Sequence, residues 1–380
     1  MEKVIVYFGG YFMSERSLER SFADNGIKVL FPVDVESNWY KQFILNKGGG
    51  NVIQSMYSTP FLEVKDDTFE IEQFLKKVSP IAVIHRMYKN DFVMNYKAGE
   101  VCSKLKIPYY PYRIETWPLE KVKSFECTNF LYAHKCDIPF MRNVKSKKTY
   151  FPYGVSSLER NLKLQKTIEI AGFGFGRLSL QERFKDIEMY YDAVESLGKN
   201  MTVFWNKTDI ELFRERKPSK NTRKKVITWQ EDTDQVDYRN QKILIPRAKE
   251  IPDPDYESIE FSPLFSPEET EQKINSAKIV VNFDTCWGVQ DAHSYKLYQS
   301  MGCGVPTITH YKKGIENDFG PNGENLIYVK DSKEAAFAIT RLLKDKDFYN
   351  KISTNCEKFV HEKYNWFKNF DKIAKEDGLW

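Results

Sequence analysis

The sequence has no Cys-x-x-Cys pair and no long apolar run, and each absence removes a class of protein. Its six cysteines (Cys102, Cys127, Cys136, Cys286, Cys303 and Cys356) are scattered along 380 residues. Thiols spaced in this way argue against a zinc site and for a reducing, cytoplasmic setting. No segment approaches the ~18 apolar residues of a membrane span. The opening MEKVIVYFGGYF has too short an apolar run for a signal peptide and leads directly into glycines. Strong charge of one sign is also missing. A net charge of +4 permits an anionic partner without pointing to one. Nor does a full Gly-x-Gly-x-x-Gly fingerprint follow the first strand, so the glycine turn there is only a weak signal of a ligand-approaching backbone.

What is present is core-forming material. Hydrophobic residues make up 41% of the chain and aromatics 15%, which excludes a disordered protein. The aromatics suit core packing and equally stacking on sugars or bases. The length accommodates two ordinary domains.

Along the first half, short apolar runs alternate with helical patterns. Val4 to Phe8 reads as a strand buried on both faces, followed by Gly9, Gly10 and a helix capped by Ser14. Strands are predicted over 27–31, 81–85 (ending at His85), 107–112 and 130–134 (ending at His134), with helices over 69–78 and 91–104. Residues 36–61 read as a long loop. Glu115 follows the strand over 107–112, where parallel sheets place ligands, although a solvated loop acid fits equally. The alternation implies one parallel-sheet domain, and 158–166 reads as a linker.

The second half repeats the plan. A strand over 167–171 leads into Gly172-Phe173-Gly174-Phe175-Gly176-Arg177, where alternate glycines free backbone N–H groups for an anion and Arg177 adds a fixed charge. A helix is predicted over 181–197 and a strand over 201–205. Residues 214–225 (RERKPSKNTRKK) are basic without apolar periodicity, as in an exposed loop or a contact with phosphates. Ser266-Pro267-Glu268-Glu269 has the cap, proline and acid of a helix start.

The centre of the chain is 279–308, IVVNFDTCWGVQDAHSYKLYQSMGCGVPTI. It reads as a buried strand (279–283), a loop (284–292), a helix (293–301), a Gly-Cys-Gly turn and a strand (305–308). A helix starting after a strand aims its N–H groups and positive dipole end at a position suited to a diphosphate. Lys296 and Gln299 follow about one turn apart on one face. His293 and Ser294 at the helix start bond a ligand or simply cap the helix.

The run Lys296 to Gly304, a basic residue, two apolar residues, an acid-type position and a small-Cys-Gly turn, resembles the nucleotide-sugar site of two-domain (GT-B) glycosyltransferases. It is most similar to the group-1, spore-maturation type, and more distantly to the T-even phage DNA glucosyltransferases. The family's ribose-binding glutamate is Gln299 here, which keeps hydrogen-bonding capacity but has no charge. The resemblance implies an α/β protein of two Rossmann-like domains facing each other across a cleft. The expected domains are an acceptor domain over 1–157 and a donor domain over 158–365, with a C-terminal helix (366–380) crossing back to the first.

It further implies transfer of a sugar from a UDP-linked donor to an acceptor hydroxyl, with retention and without metal. No Asp-x-Asp occurs within 279–308. The implied catalytic residues are Glu115 and Arg177. The implied donor contacts are Gly10, Arg177, Leu264, Phe265, His293, Ser294, Tyr295, Lys296 and Gln299, with no permanently bound cofactor. The acceptor is either a hydroxymethylated base in phage DNA or a surface or spore glycan. A non-catalytic sugar-binding protein and a sugar-nucleotide epimerase are the other readings, and oligomeric state is left open.

Overall fold

A computed structural model describes residues 2–9, 13–33, 62–65, 67–87, 97–114, 127–135, 138, 141, 144–173, 181–204, 229–231, 236–238, 241–243, 246–248, 259–262, 267–283 and 293–380. The chain divides into two compact units, Met1–Glu159 with Val360–Trp380, and Arg160–Phe359.

The elements of the first unit are β1 (Lys3–Phe8), α1 (Met13–Ala23), β2 (Ile27–Leu30), β3 (Pro32–Val33), β4 (Leu62–Glu63), α2 (Thr68–Val78), β5 (Ala82–Met87), α3 (Lys97–Leu105), β6 (Tyr109–Arg113), β7 (Phe130–Tyr132) and β8 (Lys148–Tyr150), joined by a C-terminal helix, Trp366–Glu376. The sheet is parallel, in the order β2-β1-β5-β6-β7-β8. Residues of β1 alternate between its faces. Ile5 and Tyr7 pack with Leu18 and Phe22 of α1 and with Trp366 and Phe370 of the C-terminal helix. Val6 and Phe8 pack with Ile71 and Leu75 of α2 and with Ala98 and Val101 of α3. Covering both faces is what made this strand read as an unbroken apolar run.

The C-terminal helix is held at its start as well as along its face. Asn365 caps it by accepting from the Lys368 amide at 3.0 Å. Ser21 of α1 donates to the same side-chain oxygen at 3.3 Å and accepts from the Phe367 amide at 3.0 Å. The Val155 amide donates to Tyr364 O at 2.7 Å. Gly154 sits so close that a Cβ there would lie 2.7 Å from the Trp366 nitrogen.

Several local expectations change. Ser14 lies inside α1 and donates to Glu15 Oε2 at 2.7 Å, so it is not the cap. The strand predicted to end at His85 continues to Met87. Gly9, at φ 146°, makes room for the Arg86 side chain, whose Cβ would be 2.7 Å from an added Cβ. Packing against the neighbouring strand therefore accounts for that glycine.

The second unit contains β9 (Ile168–Phe173), α4 (Gln181–Ser196), β10 (Met201–Phe204), β11 (Trp229–Glu231), β12 (Val236–Tyr238), β13 (Gln241–Ile243), β14 (Pro246–Ala248), β15 (Ile259–Ser262), α5 (Pro267–Ser276), β16 (Ala277–Asn282), α6 (Tyr295–Gly302), β17 (Thr307–His310), α7 (Ile315–Phe319), β18 (Ile327–Val329), α8 (Ser332–Lys344) and α9 (Lys346–Lys363), whose last residues are counted with the first unit. Its sheet is parallel, ordered β15-β10-β9-β16-β17-β18. Between β10 and β15 lie two short antiparallel pairs, β11 with β14 and β12 with β13, which the sequence did not signal. Ile279 and Val281 of β16 face α4 and α8 residues such as Val194 and Ile339, whereas Val280 faces Ile274 and Cys303.

Gly172 lies within β9 and not in an anion loop. A Cβ there would come within 2.5 Å of the Phe283 ring, so its bareness admits that ring. No helix among the described residues is long and apolar enough to cross a membrane.

Candidate functional site

The second sheet reverses its strand order between β9 and β16, and open parallel sheets bind ligands beyond the strands' carboxyl ends at such a point. β16 ends there at Asn282, and α6 begins after Ser294. Helix α6 is two residues shorter at its start than expected, because Ser294 has extended backbone (φ −79°, ψ 147°) and acts as N-cap. At the other end Gly304 adopts φ 67°, and the amides of Cys303 and Gly304 bond the Gln299 and Met301 carbonyls.

A serine N-cap ordinarily gives its oxygen to the helix's own N–H groups. Ser294 does not. It donates to Asn282 Oδ1 at 3.0 Å, and Asn282 Nδ2 donates to Thr309 Oγ1 at 3.1 Å. This relay ties the end of β16, the start of α6 and β17 together. The first turn of α6 carries no acidic residue, so no side-chain carboxylate offsets the positive end of the helix dipole. Lys296 is half-buried, its Nζ buried, and adds a cation within that turn. A helix start left in this state favours an anion.

His293 is 2% exposed and its Nε2 lies 3.0 Å from Oδ2 of Asp318, also buried, on α7. The Phe319 ring meets the imidazole edge-on at 5.1 Å between centroids. Ser294 and Gln299 are buried and Tyr295 half-buried. The structure thus brings His293, Ser294, Tyr295, Lys296 and Gln299 into one short segment. Gly10, Glu115, Arg177, Leu264 and Phe265 lie outside the described residues, as does the basic run 214–225. Asn282, Thr309 and Asp318 were missed by sequence reasoning. Asn282 left a faint signal as an amide within the apolar run of β16, whereas Asp318 left none.

In the first unit, the buried Arg86 of β5 is paired with Glu15 of α1, which also accepts from the Tyr7 hydroxyl at 3.0 Å. His85 points elsewhere, with Nδ1 2.7 Å from the Tyr109 hydroxyl, and burial pushes its pKa down to about 4. It is a neutral core group. A cavity of about 620 Å³ lies between β18, α7 and α8, lined by residues such as Tyr328, Lys333 and Phe337.

Residues 238–375 match a family model described as glycosyl transferase-like. No curated protein matches the chain significantly. Among solved structures, the chain is similar to sucrose-phosphate synthase from Thermosynechococcus elongatus (TM-score 0.60, 11% identity, 99% of this chain and 98% of that one). It is likewise similar to Anabaena HepE in complex with UDP-glucose (0.60, 10%, 100% of both chains) and to a glycosyltransferase from Rickettsia africae (0.58, 10%, 99% and 98%). The chain therefore has the two-Rossmann-domain GT-B fold.

Proposed function

We propose that the protein is a glycosyltransferase that moves a sugar from a UDP-linked donor to a hydroxyl of a glycan acceptor, with retention and without a metal ion. The observation that carries this is the start of α6, where the cap serine is drawn off to Asn282, the first turn lacks an acid and Lys296 stands beside it. The chemistry asks little covalent participation of the protein. Charge on the departing diphosphate is stabilised by the helix N–H groups, Lys296 and, in this reading, Arg177, as in electrostatic catalysis generally. Leu264 and Phe265 hold the nucleotide base, and Glu115 and Gly10 serve the acceptor side. Support for UDP comes from HepE, a fold relative whose structures contain UDP and UDP-glucose. The buried thiols Cys102, Cys303 and Cys356 form no disulfide among the described residues, which suits the cytosol.

The test is a thermal-shift titration of the full chain with UDP, GDP and their sugar conjugates. A ligand of the native state raises the melting temperature by mass action. UDP and its conjugates should raise it, Lys296→Ala should weaken the response about tenfold, and EDTA should leave it intact. No response to any nucleotide refutes the reading. With a donor identified, transfer to glycan should fall little with salt, whereas a steep fall would point to DNA.

A further inference from the structure

His293 keeps one ring nitrogen for which the described residues offer no partner. Its Nδ1 is buried and meets no hydrogen-bond partner among the described residues. Groups of this kind are rare enough in folded proteins that each calls for an explanation. We propose that His293 Nδ1 accepts a hydroxyl of the donor's sugar, and that Asp318 is the positioning residue that keeps this nitrogen an acceptor. The proposal rests on the donor site described above and names the part of the donor that this residue reads.

Nε2 faces Asp318 Oδ2 at 3.0 Å, and a carboxylate only accepts, so Nε2 carries the proton of that contact. In the neutral ring Nδ1 is then a lone pair. A lone pair cannot bond a phosphate oxygen, which is itself an acceptor, but it can take an O–H. The two parts of a nucleotide sugar are thereby sorted. The diphosphate goes to the N–H groups of α6 and to Lys296, and a sugar hydroxyl goes to His293. Nδ1 is also the ring nitrogen nearer the residue's own backbone, and His293 immediately precedes the N-cap of α6. The pairing with Asp318 and the edge contact with Phe319 fix the ring from the α7 side, so no rotamer search is needed when the ligand arrives.

The experiment is calorimetric binding of UDP and of UDP-glucose, UDP-galactose and UDP-N-acetylglucosamine to the full chain, using the tightest conjugate for comparison. His293→Ala and Asp318→Asn should weaken that conjugate about tenfold and leave UDP within about twofold, a difference of one hydrogen bond to a buried group. Asp318→Glu should recover part of the loss. Nitrogen-15 correlation spectra should show His293 protonated at Nε2 alone in the native protein, with that pattern lost in Asp318→Asn. Retained UDP affinity also shows that the variants fold. Equal weakening of UDP and the conjugate, or no weakening of either, overturns the proposal while leaving the donor site standing. Absence of UDP binding by the native protein removes both.

Discussion

His85 shows how burial alone fixes a side chain's chemistry. Its pKa of about 4 in the fold compares with ~6.5 for an exposed imidazole, and desolvation is the cause. Between those values the unfolded chain binds a proton that the native chain does not, so stability rises with pH across this window. It is lost as pH falls from about 6.5 towards 4, by on the order of 3 kcal/mol in total. Urea midpoints measured across that range should fall more steeply for the native protein than for His85→Gln, and parallel curves would refute this. The cysteines follow the same rule. Burial pushes the Cys102 thiol up to about 12 and raises Cys356 as well, which makes both poor nucleophiles. Single residues were also where the sequence misled most. Gly172 read as the first glycine of an anion-binding run and Gly9 as part of a glycine turn, yet each is bare because a side chain from elsewhere, Phe283 or Arg86, occupies the space. Composition cannot show that, since the intruding atoms come from distant parts of the chain.

Elements were far more legible. β1 and β16 are covered on both faces, so their apolar runs stood out, and Pro267 at the start of α5 made its boundary plain. The segment from His293 to Gln299 was visible because a helix start, a cation and a glycine turn lie close together in sequence. Its relay through Asn282, Thr309 and Asp318 was not, because those bonds join residues on separate elements. The C-terminal helix offers a sharp test of packing at this scale. Gly154→Ala would drive a methyl into the Trp366 backbone at 2.7 Å, where neither partner can yield as a flexible side chain would. Overpacking of this kind costs about 1–3 kcal/mol, and chemical denaturation should show a loss in that range. A change below about 0.5 kcal/mol would mean that the helix start shifts freely, contrary to its four hydrogen bonds to Ser21 and Val155.

Among the described residues each unit has its own hydrophobic clusters, one on each face of its sheet. Perturbations should therefore be sorted by unit. Phe370→Ala removes a fully buried ring from the first core and should cost about 3–5 kcal/mol there. In scanning calorimetry it should lower one transition, while UDP should raise the other. A single transition moved by both would show that the units unfold together.

The C-terminal helix completes a unit whose other elements precede Arg160. During synthesis, then, β1 to β8 leave the ribosome long before Trp366 and Phe370 exist to cover one face of their sheet. The second unit, continuous in sequence, can close its core first, reversing the usual order in which domains fold as they are made. Until Trp366 and Phe370 emerge, the Tyr110, Tyr112 and Phe151 rings that pack against them stay uncovered on that face. The nascent chain offers this hydrophobic surface to chaperones from the time Phe151 emerges until Trp366 and Phe370 do.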